Sequence, residues 1–438
     1  MDYRAEIFDR MQLLYHETGF NDHQIHCEIR LAGGLDETRL RRAVRLSLAS
    51  IPILATRYRA QSGRPAWESL PESDLERAFA VADDEAVFES EKTYRIREEE
   101  GPQVRLCLLR GERGALALTM NHMIADGAGF KEYLYFLCEC YARAGEGAGE
   151  SEGESEGESE GERACAGSSP AMRIDGDRGI TDLMRAFGAG AKIRAALTQG
   201  ADSNRTGKLA FPFDEGGELH PFIATRLMSR EKVAGLKEYC RAAGATINDA
   251  ALAAYYRVLA RTIGRATLEG LEIPIMIDMR RYLPSRSFAV LRNLASTAIT
   301  RLRQSEGEGF EETLAKAKAL MDALKSRNIG LGGYLKLSLL FSLFGGRAAE
   351  SLLRRGLRHP LLCMTNLGEI DAKRLVFAGS RVASAYVCGS IKYKPHFQLA
   401  LSGFDGTITL SSNLYGSEED RNRVDVFLAR VEREFPCA

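Results

Sequence analysis

The sequence has little that would serve export, membrane insertion or disulfide bonding. Among its 438 residues, no uncharged apolar run approaches the roughly 20 residues that span a bilayer. The opening MDYRAEIFDR carries charges of both signs and has no apolar region, which predicts no secretory signal. The nine cysteines show no paired spacing, which indicates reduced thiols. We therefore expect a cytoplasmic protein.

Signatures of several common enzyme classes are also missing. The sequence has no G-x-S-x-G nucleophile elbow, no Walker A loop and no strand followed by G-x-G-x-x-G. These absences argue against a serine hydrolase of the α/β type, a P-loop enzyme and a dinucleotide-binding enzyme.

Residues 144–170 differ in composition from the rest of the chain. Residues 144–163 contain eight Glu and one Arg, including three copies of SEGE, and carry a local charge of −7. Since the whole chain has a formal charge of −1, the remainder carries about +6. That charge suits a phosphate-bearing ligand but is far from a nucleic-acid-binding signature. With nothing apolar to bury in its repeats, the acidic segment is predicted to be a solvated linker or insertion between lobes at 1–143 and 171–438.

Hydrophobic patterns in both halves predict mixed helices and strands. Gln24–Leu31 alternates as a strand, and residues 104–109 and 115–120 predict a hairpin. The second hairpin strand is apolar on both faces and should be central in its sheet. In the second half, TIND at residues 246–249 predicts a helix capping box, and residues 405–406 (DG) predict a hairpin turn. An α/β (α+β) chain of two lobes follows.

The stretch TMNHMIADGAGF at residues 119–130 places a histidine directly after the predicted central strand. His122 is followed by Asp126 and by glycines at 127 and 129. Ligands of α/β proteins bind where strands leave the sheet, and a neutral imidazole there can accept a proton near pH 7. A core histidine with Asp126 as a helix cap is the alternative. A metal site is less favoured, because His-x3-Asp supplies two ligands and no HExxH or cysteine cluster supplies the rest.

NHMIADG resembles the HHxxxDG motif of a large acyltransferase superfamily. This superfamily includes chloramphenicol acetyltransferase, peptide-synthetase condensation domains, and bacterial alcohol, polyketide and wax acyltransferases; the last group is the nearest branch. Residues 36–59, 245–257, 277–283 (IDMRRYL) and 365–368 (TNLG) match further stretches of the family in order. The resemblance implies two chloramphenicol acetyltransferase-like lobes, each a mixed sheet flanked by helices, with a tunnel at their interface.

The resemblance also implies roles for individual residues. His122 takes the place of the general base that deprotonates the acceptor. Asp126 takes the place of an aspartate that pairs with an arginine, and Arg280 holds the matching position. Gly127 matches the glycine that lets a helix start close to the strand end. Asp278 is an alternative partner for Arg280, since a strand through residues 273–280 would point both side chains the same way.

The reaction implied is direct acyl transfer from a CoA or carrier-protein phosphopantetheine thioester to an alcohol-type small molecule or lipid. No permanently bound cofactor and no metal are expected. Ser296, Thr297 and Asn366 are weak candidates for oxyanion or substrate contacts. Asn121 replaces the family's first histidine; its carboxamide can still position the turn. This departure favours, a little, a non-catalytic recruitment module. An amide-forming condensation enzyme is the other alternative.

Two segments have a composition that suits helices lying on a lipid surface. Residues 180–196 and 334–345 combine amphipathic or apolar turns with nearby Lys or Arg. Such helices can hold a protein on a membrane surface, where it would collect a greasy acceptor. Core or tunnel-lining helices explain them equally well.

Overall fold

The computed structural model describes residues 3–60, 65–146, 175–198, 209–264, 271–283, 290–325 and 330–436. Within these ranges the strands are β1 (Tyr3–Arg4), β2 (Gln24–Leu31), β3 (Thr56–Arg59), β4 (Ala66–Ser69), β5 (Phe79–Ala82), β6 (Val104–Leu109), β7 (Ala115–Asn121), β8 (His220–Met228), β9 (Leu271–Asp278), β10 (Ala295–Leu302), β11 (Leu362–Ile370), β12 (Val382–Cys388), β13 (Lys392–Tyr393), β14 (Phe397–Phe404) and β15 (Thr407–Gly416). The helices are α1 (Ile7–Glu17), α2 (Glu37–Ser50), α3 (Glu72–Leu75), α4 (Glu85–Lys92), α5 (Gly127–Glu146), α6 (Thr181–Arg185), α7 (Ala189–Thr198), α8 (Arg230–Ala242), α9 (Ile247–Ile263), α10 (Phe310–Lys325), α11 (Leu331–Gly356) and α12 (Glu418–Glu434).

The first large sheet has the strand order β12-β2-β7-β6-β5. β7 lies in the middle and all seven of its residues are buried, which confirms the predicted central strand. β6 and β7 form the predicted antiparallel hairpin, whereas β5 runs parallel to β6. The sheet is therefore mixed, and the motif follows directly from its central strand.

The edge strand β12 comes from the second half of the chain. It pairs antiparallel with β2, from Val382 opposite Leu31 to Cys388 opposite His26. The predicted division at residues 143 and 171 therefore does not separate the strands of the two large sheets. Residues 147–170 of the predicted acidic linker lie outside the described residues.

The second large sheet has the order β10-β9-β11-β14-β15-β13, and β8 also pairs with β15. β11 runs parallel to β9 and β14, while β9–β10, β14–β15 and β15–β8 are antiparallel. Asp405 and Gly406 join β14 to β15 with φ of 46° and 82°. Two successive positive φ angles suit a tight hairpin, so the predicted turn is confirmed. The expected mixed sheets are both observed.

Helices cover both sheets and position the motif. α5 begins at the motif and packs on α2, and its predicted apolar face is buried at Phe130, Tyr133, Leu134 and Leu137. Each such side chain stabilises the fold by roughly 1.5–3 kcal/mol. α9 starts with the predicted capping box: the Thr246 hydroxyl accepts from the backbone N–H at position 249, and the carboxylate there accepts in return.

Helix α11 leaves apolar side chains in solvent. Leu339, Leu343 and Phe344 are 57%, 68% and 54% exposed, and α11 contacts α7, where Ile193 is 61% exposed. The other predicted surface segment, residues 180–196, forms the short helices α6 and α7. None of the helices in the described ranges has the length and apolar composition needed to cross a bilayer.

Candidate active site

His122 follows β7 at the turn that leads into α5. Its backbone N–H donates to the carbonyl of His23 at 2.8 Å, and the N–H of Ile124 donates to the carbonyl of Asn121 at 2.9 Å. These bonds fold the chain back sharply after the strand. The neighbours Asn121 and Met123 are fully buried, whereas the His122 side chain keeps part of its surface exposed. The turn therefore leaves the imidazole partly exposed, while the side chains on either side of it are buried.

Asn293 holds the imidazole of His122. The Asn293 Nδ2 group donates to the carbonyl oxygens of His122 and Met123 at 2.8 and 3.1 Å, so its Oδ1 atom faces the ring, 3.2 Å from Nδ1 of His122. Because a carboxamide oxygen can only accept, Nδ1 carries the proton and Nε2 keeps its lone pair. Asn293 is 5% exposed, so water competes little for these bonds. The free Nε2 atom can take a proton from a bound hydroxyl.

The surroundings favour the neutral form of this imidazole. Burial lowers the pKa of His122 below its ordinary value, and the positive charge of Lys392 lowers it further. The charge of Asp126 and the hydrogen bonds to the ring oppose this shift without cancelling it. The His122 imidazole is therefore uncharged at neutral pH.

Asp126 and Arg280 form an ion pair behind the motif. Nη1 of Arg280 donates to Oδ2 of Asp126 at 2.8 Å, and Oδ2 also accepts the backbone N–H of Leu294 at 2.7 Å. Oδ1 accepts the N–H of Gly129 at 3.0 Å, which caps α5. Burial alone would raise the pKa of Asp126, but the charge and hydrogen bonds of Arg280, with the two N–H groups, hold it below its ordinary value. The carboxylate is thus held by hydrogen bonds behind the motif and fixes the turn.

Asp278 also contacts Arg280. Its Oδ1 accepts the backbone N–H of Arg280 at 2.9 Å and lies 3.2 Å from Nη1. β9 ends at Asp278 and a 3₁₀ turn follows at Met279–Tyr282, so the predicted continuation of the strand to Arg280 is wrong. The Asp278 side chain caps that turn, which draws the chain out of the sheet. The Asp126 side chain is 4% exposed and that of Asp278 is 52% exposed, so the two carboxylates differ in burial.

Asn121 is fully buried, and both the nitrogen and the oxygen of its carboxamide form hydrogen bonds. Nδ2 donates to Oε1 of Gln103 at 2.7 Å, and Oδ1 accepts the backbone N–H of Met123 at 2.9 Å. This side chain therefore shapes the turn from within and does not face solvent.

Gly127 opens α5 where that helix meets β11. A Cβ atom at this position would lie 2.5 Å from Cδ2 of Leu367, in the TNLG stretch. Lys131, one turn further on, donates to the carbonyls of Leu367 and Glu369 at 2.7 and 3.1 Å. A glycine at the helix start thus lets α5 approach the second sheet closely.

Arg178 braces the motif from the other side. Its guanidinium binds both carboxylate oxygens of Asp9 at 2.7 and 2.9 Å and donates to the carbonyls of Met123 and Ile124 at 3.0 and 3.1 Å. Nε1 of Trp67 donates to the same carboxylate at 3.0 Å. Arg178 lies just beyond the acidic stretch and belongs to no motif, and the sequence analysis missed it, as it missed Asn293.

The three candidate oxyanion donors have other partners. The Ser296 hydroxyl donates to the carbonyl of Gly330 at 3.0 Å. Thr297 and Asn366 are exposed, and Oδ1 of Asn366 accepts the backbone N–H of Gly368 at 2.9 Å. None of the hydrogen bonds described for these side chains involves the motif histidine. Their assignment as substrate contacts remains a prediction, as does the tunnel.

The fold defines a class of proteins. Solved structures of condensation domains and of an O-acetyltransferase share it over nearly their whole length, which confirms the two-lobed fold that the motif resemblance implied. No protein-family model and no curated protein sequence matches the chain.

Three solved structures illustrate the similarity. Trichothecene 15-O-acetyltransferase from Fusarium sporotrichioides aligns with a TM-score of 0.69 at 13% identity, covering 99% of this chain and 95% of that one. Polyketide synthase associated protein 5 from Mycobacterium tuberculosis gives 0.64 at 14%, covering 96% and 95%. The first condensation domain of the CDA synthetase gives 0.66 at 15%, covering 100% and 97%. At these identities the similarity establishes the fold.

Proposed function

We propose that the protein transfers an acyl group from a CoA or carrier-protein thioester to a hydroxyl acceptor, with His122 as the general base. The observation that carries this proposal is the orientation of His122: Asn293 accepts from Nδ1, which leaves a neutral, partly exposed ring with a free Nε2 lone pair. The fold supports it, because structures with that fold include an O-acetyltransferase and condensation domains.

The proposed reaction needs no covalent acyl-enzyme. Nε2 of His122 removes the proton of the acceptor hydroxyl as its oxygen attacks the thioester carbonyl carbon. The tetrahedral oxyanion collapses to the ester and breaks the carbon–sulfur bond. The proton held by His122 then passes to the departing thiolate. Ser296, Thr297 and Asn366 are the candidate oxyanion donors of this proposal, each after a change of hydrogen-bond partner.

The test measures release of free thiol from a panel of acyl-CoAs in the presence of alcohols. We expect His122→Ala to lower kcat by about 10²- to 10⁴-fold, the usual contribution of a positioned base. The variant should stay folded, because the ring is partly exposed and its loss leaves the backbone bonds of the turn in place. Turnover that His122→Ala leaves undiminished contradicts the role of the base.

The same assay separates the alternative functions. Replacing alcohols with amines of matched chain length tests an amide-forming condensation reaction. No thiol release with any donor, alongside retained binding of a phosphopantetheinylated carrier protein, would instead indicate a recruitment module. Asn121 favours that module only weakly, because its carboxamide is committed to the turn.

A further inference from the structure

Lys392 is a buried lysine whose ammonium has no polar partner in the part of the chain that the structure describes. It lies in β13 and is 4% exposed. Its Nζ atom stands over the ring of Phe20, 4.0 Å from the centroid, and makes no hydrogen bond or ion pair with any residue in the described ranges. Burying an ammonium without a hydrogen-bonded counter-charge is strongly unfavourable. Burial accordingly lowers the pKa of Lys392 below its ordinary value, and an anion beside the ammonium would favour its charged form.

The carboxylate of Asp22 does not hydrogen-bond the ammonium of Lys392. Asp22 is the acid whose charge acts on Lys392, but its oxygens already have other partners. Oδ1 accepts the backbone N–H groups of Gln24 and Ile391 at 3.1 and 2.9 Å, and Oδ2 lies 3.3 Å from Nε2 of His26. The carboxylate is thus held by the chain around it.

The other neighbours of Lys392 are uncharged. Burial raises the pKa of the Cys363 thiol, so it stays protonated at pH 7. Burial lowers the pKa of His359 to about 4 and lowers that of His396, and the charge of Lys392 lowers both as well. The two neutral imidazoles also pack on the ring of Phe20, with centroids 4.7 and 5.0 Å from it, so the ammonium over that ring lies among uncharged groups.

Lys392 and His122 meet the same short segment of chain. Asn21 pairs with Lys392 in an isolated β-bridge, and the carbonyl of His23, two residues later, accepts the backbone N–H of His122 at 2.8 Å. The charge of Lys392 is also felt by the His122 ring. Residues 21–23 therefore connect the strand that carries Lys392 to the turn that carries His122.

We propose that Lys392 binds an anionic group, a carboxylate or a phosphate, of a substrate that reacts at His122. This inference rests on the proposed function, whose substrate class it narrows. An ammonium supplies up to three charge-assisted hydrogen bonds to such a group, and the low dielectric of a buried site strengthens them. The phosphate of a thioester donor and the carboxylate of an acceptor offer the same chemistry, so the test has an arm for each.

The first experiment measures binding by calorimetry on the full chain, with CoA, inorganic phosphate and acetate as probes. Lys392→Met removes the charge and keeps most of the volume. Lys131→Met is the matched control, since Lys131 is also enclosed but its ammonium bonds two carbonyls. We expect Lys392→Met to weaken at least one probe by about 10- to 100-fold, the loss of a charged hydrogen bond, and Lys131→Met to change it less than about twofold. Loss of CoA or phosphate binding identifies the donor, and loss of acetate alone identifies the acceptor.

The second experiment measures urea unfolding without any probe. An uncompensated buried charge destabilises the empty protein, so Lys392→Met should unfold at the same or a higher urea concentration than the wild type. A clear loss of stability would mean that Lys392 has a structural partner, and would overturn the proposal. It is overturned equally if no anionic probe binds the wild type, or if Lys392→Met binds each probe as tightly.

Repeating the calorimetry in His122→Ala separates this inference from the proposed function. Anion binding should persist in that variant, because the ammonium is untouched. If the wild type releases no thiol but binds the probes through Lys392, the catalytic proposal fails and the anion site stands. If thiol release depends on His122 but no probe depends on Lys392, the anion site fails alone.

Discussion

The two ring nitrogens of His122 lie in different surroundings, and Asn293 is the reason. Two backbone carbonyls fix which way its carboxamide faces, and the carboxamide oxygen then fixes the proton on Nδ1. The turn thus orients its own imidazole through a side chain that lies 171 residues away along the chain. Chemistry at Nε2 depends on this contact as well as on the motif.

Replacing Asn293 with Asp places a negative charge beside Nδ1. An adjacent opposite charge favours the imidazolium, so the pKa of His122 should rise by about 1–2 units. A histidine base acts only in its neutral form. Because the pKa of His122 in the wild type lies below its ordinary value, kcat/KM should stay constant as the pH falls through 6.5. In Asn293→Asp the acidic limb of the pH profile, where kcat/KM falls as His122 becomes protonated, should appear at higher pH. Asn293→Ala is the control: it should lower kcat without an upward shift of the limb. An unmoved limb in Asn293→Asp contradicts the orienting role.

Asp126 and Asp278 bind one arginine from different environments, and their removal should have unequal costs. Asp126→Ala strands the enclosed Arg280 and leaves two buried N–H groups without an acceptor, so we expect a loss of about 3–5 kcal/mol in urea unfolding. The carboxylate of Asp278 is half exposed, and Asp278→Ala should cost roughly 0–1 kcal/mol. Equal losses from the two variants would show that Asp126 is not the main partner.

At the scale of elements, periodic patterns predicted most of what the structure contains. The alternation of β2, the two-sided apolar run of β7 and the DG turn before β15 are local signals, because one face or one backbone angle determines each of them. β9 shows where such signals stop: the alternation continues to residue 280, but the Asp278 side chain caps a turn and ends the strand. Local hydrogen bonds of short polar side chains compete with strand pairing.

The sequence motifs predicted some residues of the candidate site, but they could not predict the others. His122, Asp126 and Arg280 stand in stretches that resemble family motifs. Asn293, Arg178 and Lys392 act through contacts between segments far apart in sequence, and each is a single polar residue without a pattern around it. A contact between distant segments forms only in the folded protein, so no periodic pattern in a single sequence predicts it.

Helix α11 gives the predicted lipid-surface contact a specific form. Leu343 and Phe344 are largely exposed beside a kink at Gly345, and the exposed Arg347 and Arg355 follow. Apolar side chains with arginines nearby suit an anionic bilayer surface. We expect the wild type to pellet with anionic vesicles at low salt and the double variant Leu343→Ser, Phe344→Ser to stay in the supernatant.

The matched control for that experiment is Val426→Ser, which removes an exposed apolar side chain, 50% accessible, from α12. It should pellet like the wild type. If the wild type stays in the supernatant while the vesicles sediment, the prediction of a lipid contact is wrong.

For the whole molecule, the shared sheet means that the two halves of the chain depend on each other. β12 pairs with β2, Arg280 pairs with Asp126, and Arg178 pairs with Asp9, each across the acidic stretch. A half expressed alone would lose these partners and expose a sheet edge.

A protease site inserted between Glu154 and Ser155 tests this dependence. After cleavage we expect the two fragments to co-elute in gel filtration and to unfold in a single urea transition, because the buried contacts across the cut remain. The uncleaved insertion variant is the control. Fragments that separate, or that unfold in two transitions, would show that the halves are independent.

Trp67 gives the protein an optical reporter of its own. It is the single tryptophan of the sequence and is sealed from solvent, and it shares the Asp9 carboxylate with Arg178, whose other donors hold the carbonyls next to His122. The loop that carries His122 is therefore three hydrogen-bonded contacts from the indole, by way of Asp9 and Arg178. Emission from one fluorophore, with no label attached, can follow substrate arrival in real time.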